Sequence, residues 1–290
     1  QSDNTTIPAA LNIGPSQYWD GIDGPWSSFP ISVGSGGTQG AQQVRVFPST
    51  AFTAVWTISD LGCPDFYGQI NGEDCSDSRG FLFNPNTSLT WAANTIYYLD
   101  LEEQLGMDTS GPVGYDTVTL GWPGSVEVTY DHSPVWNLAD SMYWLGGFGL
   151  LPAPTNFSSM ADQTPSFMNT IFDAGKLPSL SYAYTAGAQY QLNQVYGSLT
   201  LGGYDSNRFI PNNISFPFYP DIERDLSVFL QTISASGTNP TDLLPDGSIS
   251  IFIDSTVPEL WLPESACSAF EEAFGLEYDD NFQRYLLNSS

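Results

Sequence analysis

Phe252-Ile253-Asp254-Ser255-Thr256-Val257-Pro258-Glu259-Leu260-Trp261 repeats, with substitutions, the earlier stretch Phe47-Pro48-Ser49-Thr50-Ala51-Phe52-Thr53-Ala54-Val55-Trp56. In both copies an apolar strand runs into a short polar turn seven residues ahead of a tryptophan. The second turn reads Asp-Ser-Thr and the first reads Ser-Thr-Ala. Of the two matching positions, only Asp254 therefore offers a carboxylate, and Ser49 stands at the other.

Around this pair, 290 residues with 41% hydrophobic and 14% aromatic content suffice for one large domain or two lobes. The 21 prolines and 27 glycines fall between short runs rich in Val, Ile, Thr, Tyr and Phe, which predicts many short strands joined by turns and few helices. The formal charge of −26, from 32 acidic against 6 basic residues, excludes a surface that tracks nucleic-acid phosphates and opposes adhesion to anionic lipid. Such a chain is relieved of self-repulsion as its carboxylates protonate, which suits an acidic extracellular medium, and the same charge equally serves solubility.

Asn-x-Ser/Thr sequons at Asn4, Asn86, Asn156, Asn213 and Asn288 point to glycosylation in the secretory pathway. Cys63 and Cys75, twelve apart, predict a disulfide that closes a small loop in an oxidising compartment. Cys267 is left over, and in a secreted protein it predicts a bond to a partner outside these residues. The chain opens at Gln1 without a signal peptide, as expected once one is removed, and no apolar run approaches membrane-spanning length. The expected location is secreted or at the extracellular cell surface.

Phe29 to Gly34 and Gln43 to Phe47 alternate at period two around a Gly-rich turn, as a hairpin does, and deliver the first motif at a strand end. Tyr97 to Leu101 and Tyr115 to Gly121 read as two strands of a hairpin overhanging a cleft. Trp144-Leu145-Gly146-Gly147-Phe148-Gly149-Leu150 mixes small and large apolar residues as a buried strand does where another backbone passes close. Tyr196 to Asp205 reads as a further buried strand. Helices are predicted from Thr164 to Ala174, after a Thr-Pro start, and from Glu264 to Phe274.

In this order the paired turns with Trp56 and Trp261, Phe83 to Trp91, Gly114 to Gly121 and Tyr196 to Asp205 resemble the pepsin-like aspartic peptidase family, specifically its secreted fungal members. The resemblance covers nearly the whole chain from about Ser28. It implies a mostly all-β, bilobal fold with few short helices: an N-terminal lobe over residues 1–207 with the first turn and the flap, and the first part of a C-terminal lobe over 208–290.

In that family each lobe donates an aspartate from an Asp-Thr/Ser-Gly turn, and the pair shares a proton and activates a water. Two acids a hydrogen bond apart cannot both ionise, so one serves as base and the other as acid. Carried onto this chain, Asp254 is the surviving catalytic aspartate and Ser49 replaces the first. A serine hydroxyl cannot accept a proton from water at acidic pH.

Further departures concern the surroundings. The glycines that admit substrate to each turn are Ala51 and Thr256 here. The stretch matching the flap tip reads Glu102-Glu103-Gln104-Leu105-Gly106-Met107-Asp108-Thr109-Ser110-Gly111, without the flap tyrosine, although Tyr97 and Tyr98 fall near its base. The hydroxyls that cross-brace the turns are kept as Thr50 and Ser255. Only 36 residues follow Asp254 (290 minus 254), whereas the first lobe takes about 150 beyond Ser49, so the second lobe is read as incomplete. The expectation is a separate C-terminal chain, docked and disulfide-bonded to Cys267.

Bland readings stand beside these. Asp254 also suits a turn that merely binds its own amides. Ser49 lacks a base, because the single histidine, His132, sits in a stretch without a motif and reads as a surface residue. Glu102 and Glu103, with Asp100 and Asp108, match no metal-ligand spacing, so no metal and no cofactor is expected and the group reads as a solvated acidic flap. Tyr97, Tyr98, Tyr115 and Trp144 either line a cleft or fill a core.

The function expected is a secreted, non-catalytic homologue of aspartic peptidases that binds a peptide, protein or glycan in its cleft. The alternatives are an acid endopeptidase working through Asp254 with a substitute carboxylate, and a structural or adhesive cell-surface ectodomain.

Overall fold

A computed structural model describes residues 7–22, 24–35, 40–63, 69–70, 73–125, 128–157, 163–221, 224–235, 241–281 and 284–287. The sequons at Asn4 and Asn288 lie outside them. The strands that matter here are, in chain order, β1 (Leu11–Ile13), β2 (Phe29–Val33), β3 (Gln42–Ser49), β4 (Val55–Ile58), β5 (Ala92–Tyr98), β6 (Ser110–Leu120), β7 (Val128–Leu138), β8 (Gly146–Gly149), β9 (Tyr182–Thr185), β10 (Ser198–Leu201), β11 (Ser227–Leu230) and β12 (Ile249–Phe252). The helices are α1 (Cys75–Ser78), α2 (Phe167–Asp173) and α3 (Glu264–Phe274).

Two compact units emerge: Gln1–Ile214 together with Asp254–Thr256, and Ser215–Ile253 together with Val257–Ser290. In the first, a seven-stranded sheet runs β7-β4-β8-β3-β2-β6-β5, with β7 also pairing β6. Its central crossing sets the site. β8 runs parallel to β3, Gly146 opposite Val46 and Gly149 opposite Ser49, and antiparallel to β4, Gly147 opposite Trp56. The glycine-rich sequence of β8 is required there, because a Cβ on Gly147 would stand 2.0 Å from the Trp56 ring. The indole of Trp56 donates to the Leu145 carbonyl at 3.1 Å and is only 3% exposed.

Two apolar clusters hold this unit. The larger gathers Ile31, Val46, Val118, Leu120, Phe148 and Phe167 among others, each worth about 1.5–3 kcal/mol of burial. The smaller, Phe52, Trp56, Leu99, Leu101, Trp136 and Tyr143, packs beneath the first turn and the base of the β5–β6 hairpin. A three-stranded sheet β1-β10-β9 adds a further layer.

The predicted hairpin is β2–β3, and the strand expected over Trp144 to Leu150 is the shorter β8. The strand expected from Tyr196 to Asp205 is β10, flanked by turns. Helix α2 is shorter than its predicted span because the Ser166 hydroxyl accepts the Asn169 amide at 3.2 Å and caps the first turn at that point. Cys63 and Cys75 form the expected disulfide.

In the second unit β11 and β12 pair antiparallel, Ser227 opposite Phe252 and Leu230 opposite Ile249. Helix α3 occupies its predicted residues and stops at Gly275, whose φ of 64° is the left-handed conformation that glycine adopts without strain. Arg284 and Glu259 form an ion pair. Among the described residues no helix is long and apolar enough to cross a membrane.

Candidate functional site

The two turns meet within the first unit. β3 ends at Ser49, and residues 254–256 fold against it across 205 residues of sequence. Thr50 N–H donates to Ser255 Oγ at 3.1 Å, Ser255 N–H donates to Thr50 Oγ1 at 3.0 Å, and Ser255 Oγ donates to the Pro48 carbonyl at 2.7 Å. Thr50 and Ser255 thus satisfy each other's turn amides by reciprocal hydrogen bonds.

At the centre, Ser49 Oγ and Thr256 Oγ1 lie 2.7 Å apart, either donating. Asp254 is half-buried, and its Oδ1 accepts the Thr256 amide at 2.7 Å. That bond is also the one the bland reading of Asp254 requires. Ser49 is buried and Ala51 half-buried. The two turns therefore present one carboxylate and a pair of neutral hydroxyls.

The β5–β6 hairpin is the element matched to a flap. Its registered pairs run from Ser110–Tyr98 to Tyr115–Ala92, with a shift between Pro112 and Gly114. Tyr97 is half-buried with its ring 5.2 Å from that of Phe157, while Tyr98 is exposed. The strand expected over Tyr97 to Leu101 stops at Tyr98, because Asp100 and Glu102 take left-handed φ values of 50° and 56°. Positive φ in residues other than glycine costs energy and often accompanies a functional loop. Tyr98, Asp100, Glu103, Met107 and Asp108 line a cavity of about 220 Å³. Glu102 stands near Tyr143 and does not line this cavity.

Tyr143 and Arg79 are the residues that the sequence reading missed. The Tyr143 hydroxyl donates to the Leu101 carbonyl at 2.7 Å, tying the hairpin base to the cluster under Trp56, whose ring lies 5.3 Å away. Burial above all, then the nearby carboxylates of Glu102, Asp254 and Asp140, push the Tyr143 phenol up. Arg79, only 2% exposed, donates to the carbonyls of Gly62, Asp140, Tyr143 and Trp144 and so clamps the segment that carries Tyr143. Neither residue sits in a periodic pattern. A faint signal existed: in a chain with 6 basic residues, one placed beside the Cys63–Cys75 loop merits a structural role.

His132 is exposed and stacks on Tyr115 at 4.1 Å between ring centroids. Asn86, Asn156 and Asn213 are exposed. Cys267 is a half-buried free thiol in α3, its Sγ 3.6 Å from the Leu262 carbonyl. Among the described residues no group of three His, Cys, Asp or Glu side chains is arranged to hold a metal ion.

No family model and no curated protein matches the chain. Among solved structures it is similar to the aspartic proteinase from Irpex lacteus, with a TM-score of 0.61 and 16% identity over 97% of this chain and 73% of that one. A likeness at that identity speaks to the fold, and it joins the mostly β architecture and the crossed pair of turns: this chain has the fold of the pepsin-like aspartic proteinases.

Proposed function

We propose that this is a secreted, non-catalytic relative of the aspartic proteinases that uses the cleft of its fold to bind a peptide, protein or glycan without cutting it. The observation that carries the reading is the Ser49–Thr256 hydroxyl pair at 2.7 Å, where the chemistry of the fold calls for a second carboxylate. With one carboxylate there is no shared proton and no division into acid and base. Ala51 and Thr256 add bulk at the two turns, and the hairpin tip carries Asp100, Glu103 and Asp108 around its cavity.

The test is cleavage of an unfolded protein substrate between about pH 3 and 6, the range of a shared-proton pair. The expected result is no cleavage, and binding of a polypeptide or glycan array ligand that Tyr98→Ala weakens. Cleavage abolished by both Asp254→Asn and a transition-state inhibitor makes the protein a peptidase and overturns the proposal. The same reading includes a separate polypeptide held to the second unit through the half-buried Cys267. Mass measurement of the natural secreted protein without reductant is expected to show a species heavier than the chain and to lose the excess on reduction; an unlinked chain with an alkylatable Cys267 argues against it.

A further inference from the structure

The seven-stranded sheet of the first unit ends at β5, and that edge is open. β5 pairs with β6, and among the described residues no strand pairs with its other side. Six of its seven residues are exposed, with Ile96 at 66% and Tyr98 at 62% on one face, since residues two apart in a strand point the same way. An edge of this length invites another strand unless charge, proline or a bulge blunts it. β5 has one register shift, opposite Pro112, and neither a charge nor a proline; the chain carries no charged residue at all between Arg79 and Asp100. Beyond Tyr98 the character reverses. Asp100, Glu102, Glu103 and Asp108 fall within nine residues, and Asp100, Glu103 and Asp108 share the cavity of about 220 Å³ with Tyr98 and Met107. That volume is small for a whole organic ligand and suits one long side chain. The described residues place no cation there. Each of the five arginines is engaged elsewhere: Arg45 with Asp20 and Asp77, Arg79 with four carbonyls, Arg208 with Asp205, Arg224 with Asp221 and Arg284 with Glu259. The sixth basic residue, Lys176, follows α2 and does not line the cavity.

From the open edge and the charge that ends it we infer that β5 is a docking strand for an extended, basic segment of a partner protein, which adds to the edge through its backbone and sends a lysine or arginine into the cavity beside Tyr98. The backbone ladder supplies affinity whatever the sequence, and the cavity supplies selection. The Tyr98 carbonyl already accepts the Trp136 indole at 3.2 Å, so backbone pairing ends over residues 92–97 and the partner's side chain continues from there. Its alkyl stem covers the Tyr98 ring and Met107, while its cationic head meets the three carboxylates. A second copy of this chain is a poor occupant, because it carries the same charge of −26. The inference rests on the reading of this chain as a binder and gives its ligand a chemistry.

The probes are two short peptides of alternating threonine and valine, one with an arginine at the amino end and one with it at the carboxyl end, so that either strand direction can seat the cation. Added to the intact protein at low salt, at least one is expected to bind and to protect the amides of residues 92–97 from hydrogen exchange. Glutamine in place of the arginine is expected to weaken that peptide by about tenfold or more, and N-methylation of its backbone, which keeps the charge and removes the ladder, to abolish binding. Glu103→Gln with Asp108→Asn, both at exposed positions, is expected to erase the difference between the arginine and glutamine peptides. Equal binding of those two peptides to the unaltered protein, binding that survives N-methylation, protection elsewhere than β5, or no binding of either arginine peptide overturns the inference. Protection of the same amides in the natural protein without peptide also overturns it, because the molecule itself then covers the edge. An array ligand that binds while both arginine peptides fail overturns this inference and leaves the reading as a binder standing.

Discussion

Tyr143 is the residue through which the hairpin base, the buried aromatic cluster and the Asp254 carboxylate feel one another. Tyr143→Phe leaves the Leu101 carbonyl without its donor and is expected to cost about 1 kcal/mol, read by urea unfolding near neutral pH. The pH dependence has a definite sign. The native phenol titrates above its ordinary value of 10.0, so the neutral form is favoured by folding and its contribution is complete below that value. It is lost as pH rises further, and the gap in stability between the natural protein and Tyr143→Phe is therefore expected to shrink above about pH 10. Gly147→Ala is harsher, since the new methyl overlaps the Trp56 ring and both strands flanking β8 must move. A loss of about 3 kcal/mol or more is expected, with loss of the near-ultraviolet signal of buried tryptophan. Ser49 shows what sequence can and cannot convey at this scale: the serine at the position matching Asp254 is plain in the letters, but the partnership of its hydroxyl with Thr256 needed coordinates.

Among the elements, those governed by local chemistry were legible. Helix α3 lies on its predicted residues, ended by a left-handed Gly275, and the alternation of Phe29 to Phe47 produced the β2–β3 hairpin. The misreadings have physical causes. The β5 strand starts earlier than Tyr97 because Ala92 to Ile96, though poor in β-formers at its start, is held by the β6 ladder, and it ends earlier because Asp100 turns left-handed. Buried Arg79 was opaque because its four carbonyl partners lie in two loop stretches, at Gly62 and over residues 140–144, that no periodicity links. The disulfide was legible from spacing, but its proximity to the Arg79 clamp was not. Replacing Cys63 and Cys75 by serine releases a loop of 12 residues, for which a loss of roughly 3 kcal/mol is expected in calorimetry. The same variant is expected to loosen residues 140–145 in hydrogen exchange, since Arg79 follows directly on α1.

For the whole molecule, charge sets the conditions of stability. A balance of −26 makes compact states self-repulsive near neutral pH, and protonating carboxylates relieves this. Asp225 acts in the same direction: burial raises its carboxyl, so its native form binds protons more readily and its contribution falls as pH rises. The thermal midpoint is expected to be higher at about pH 5 than at about pH 7.5, with added salt narrowing the gap by screening. A midpoint that falls steadily from neutrality to pH 5 would instead show that ionised pairs such as Asp20 with buried Arg45 dominate. The hydroxyl brace between Thr50 and Ser255 has a different consequence, which concerns the order of synthesis. Its halves are 205 residues apart, so at about 5–20 residues per second a ribosome needs roughly 10–40 seconds to make the second after the first. Throughout that interval the nascent first unit holds an unbraced turn at Ser49, and its last native hydrogen bonds wait on residues translated after much of the second unit.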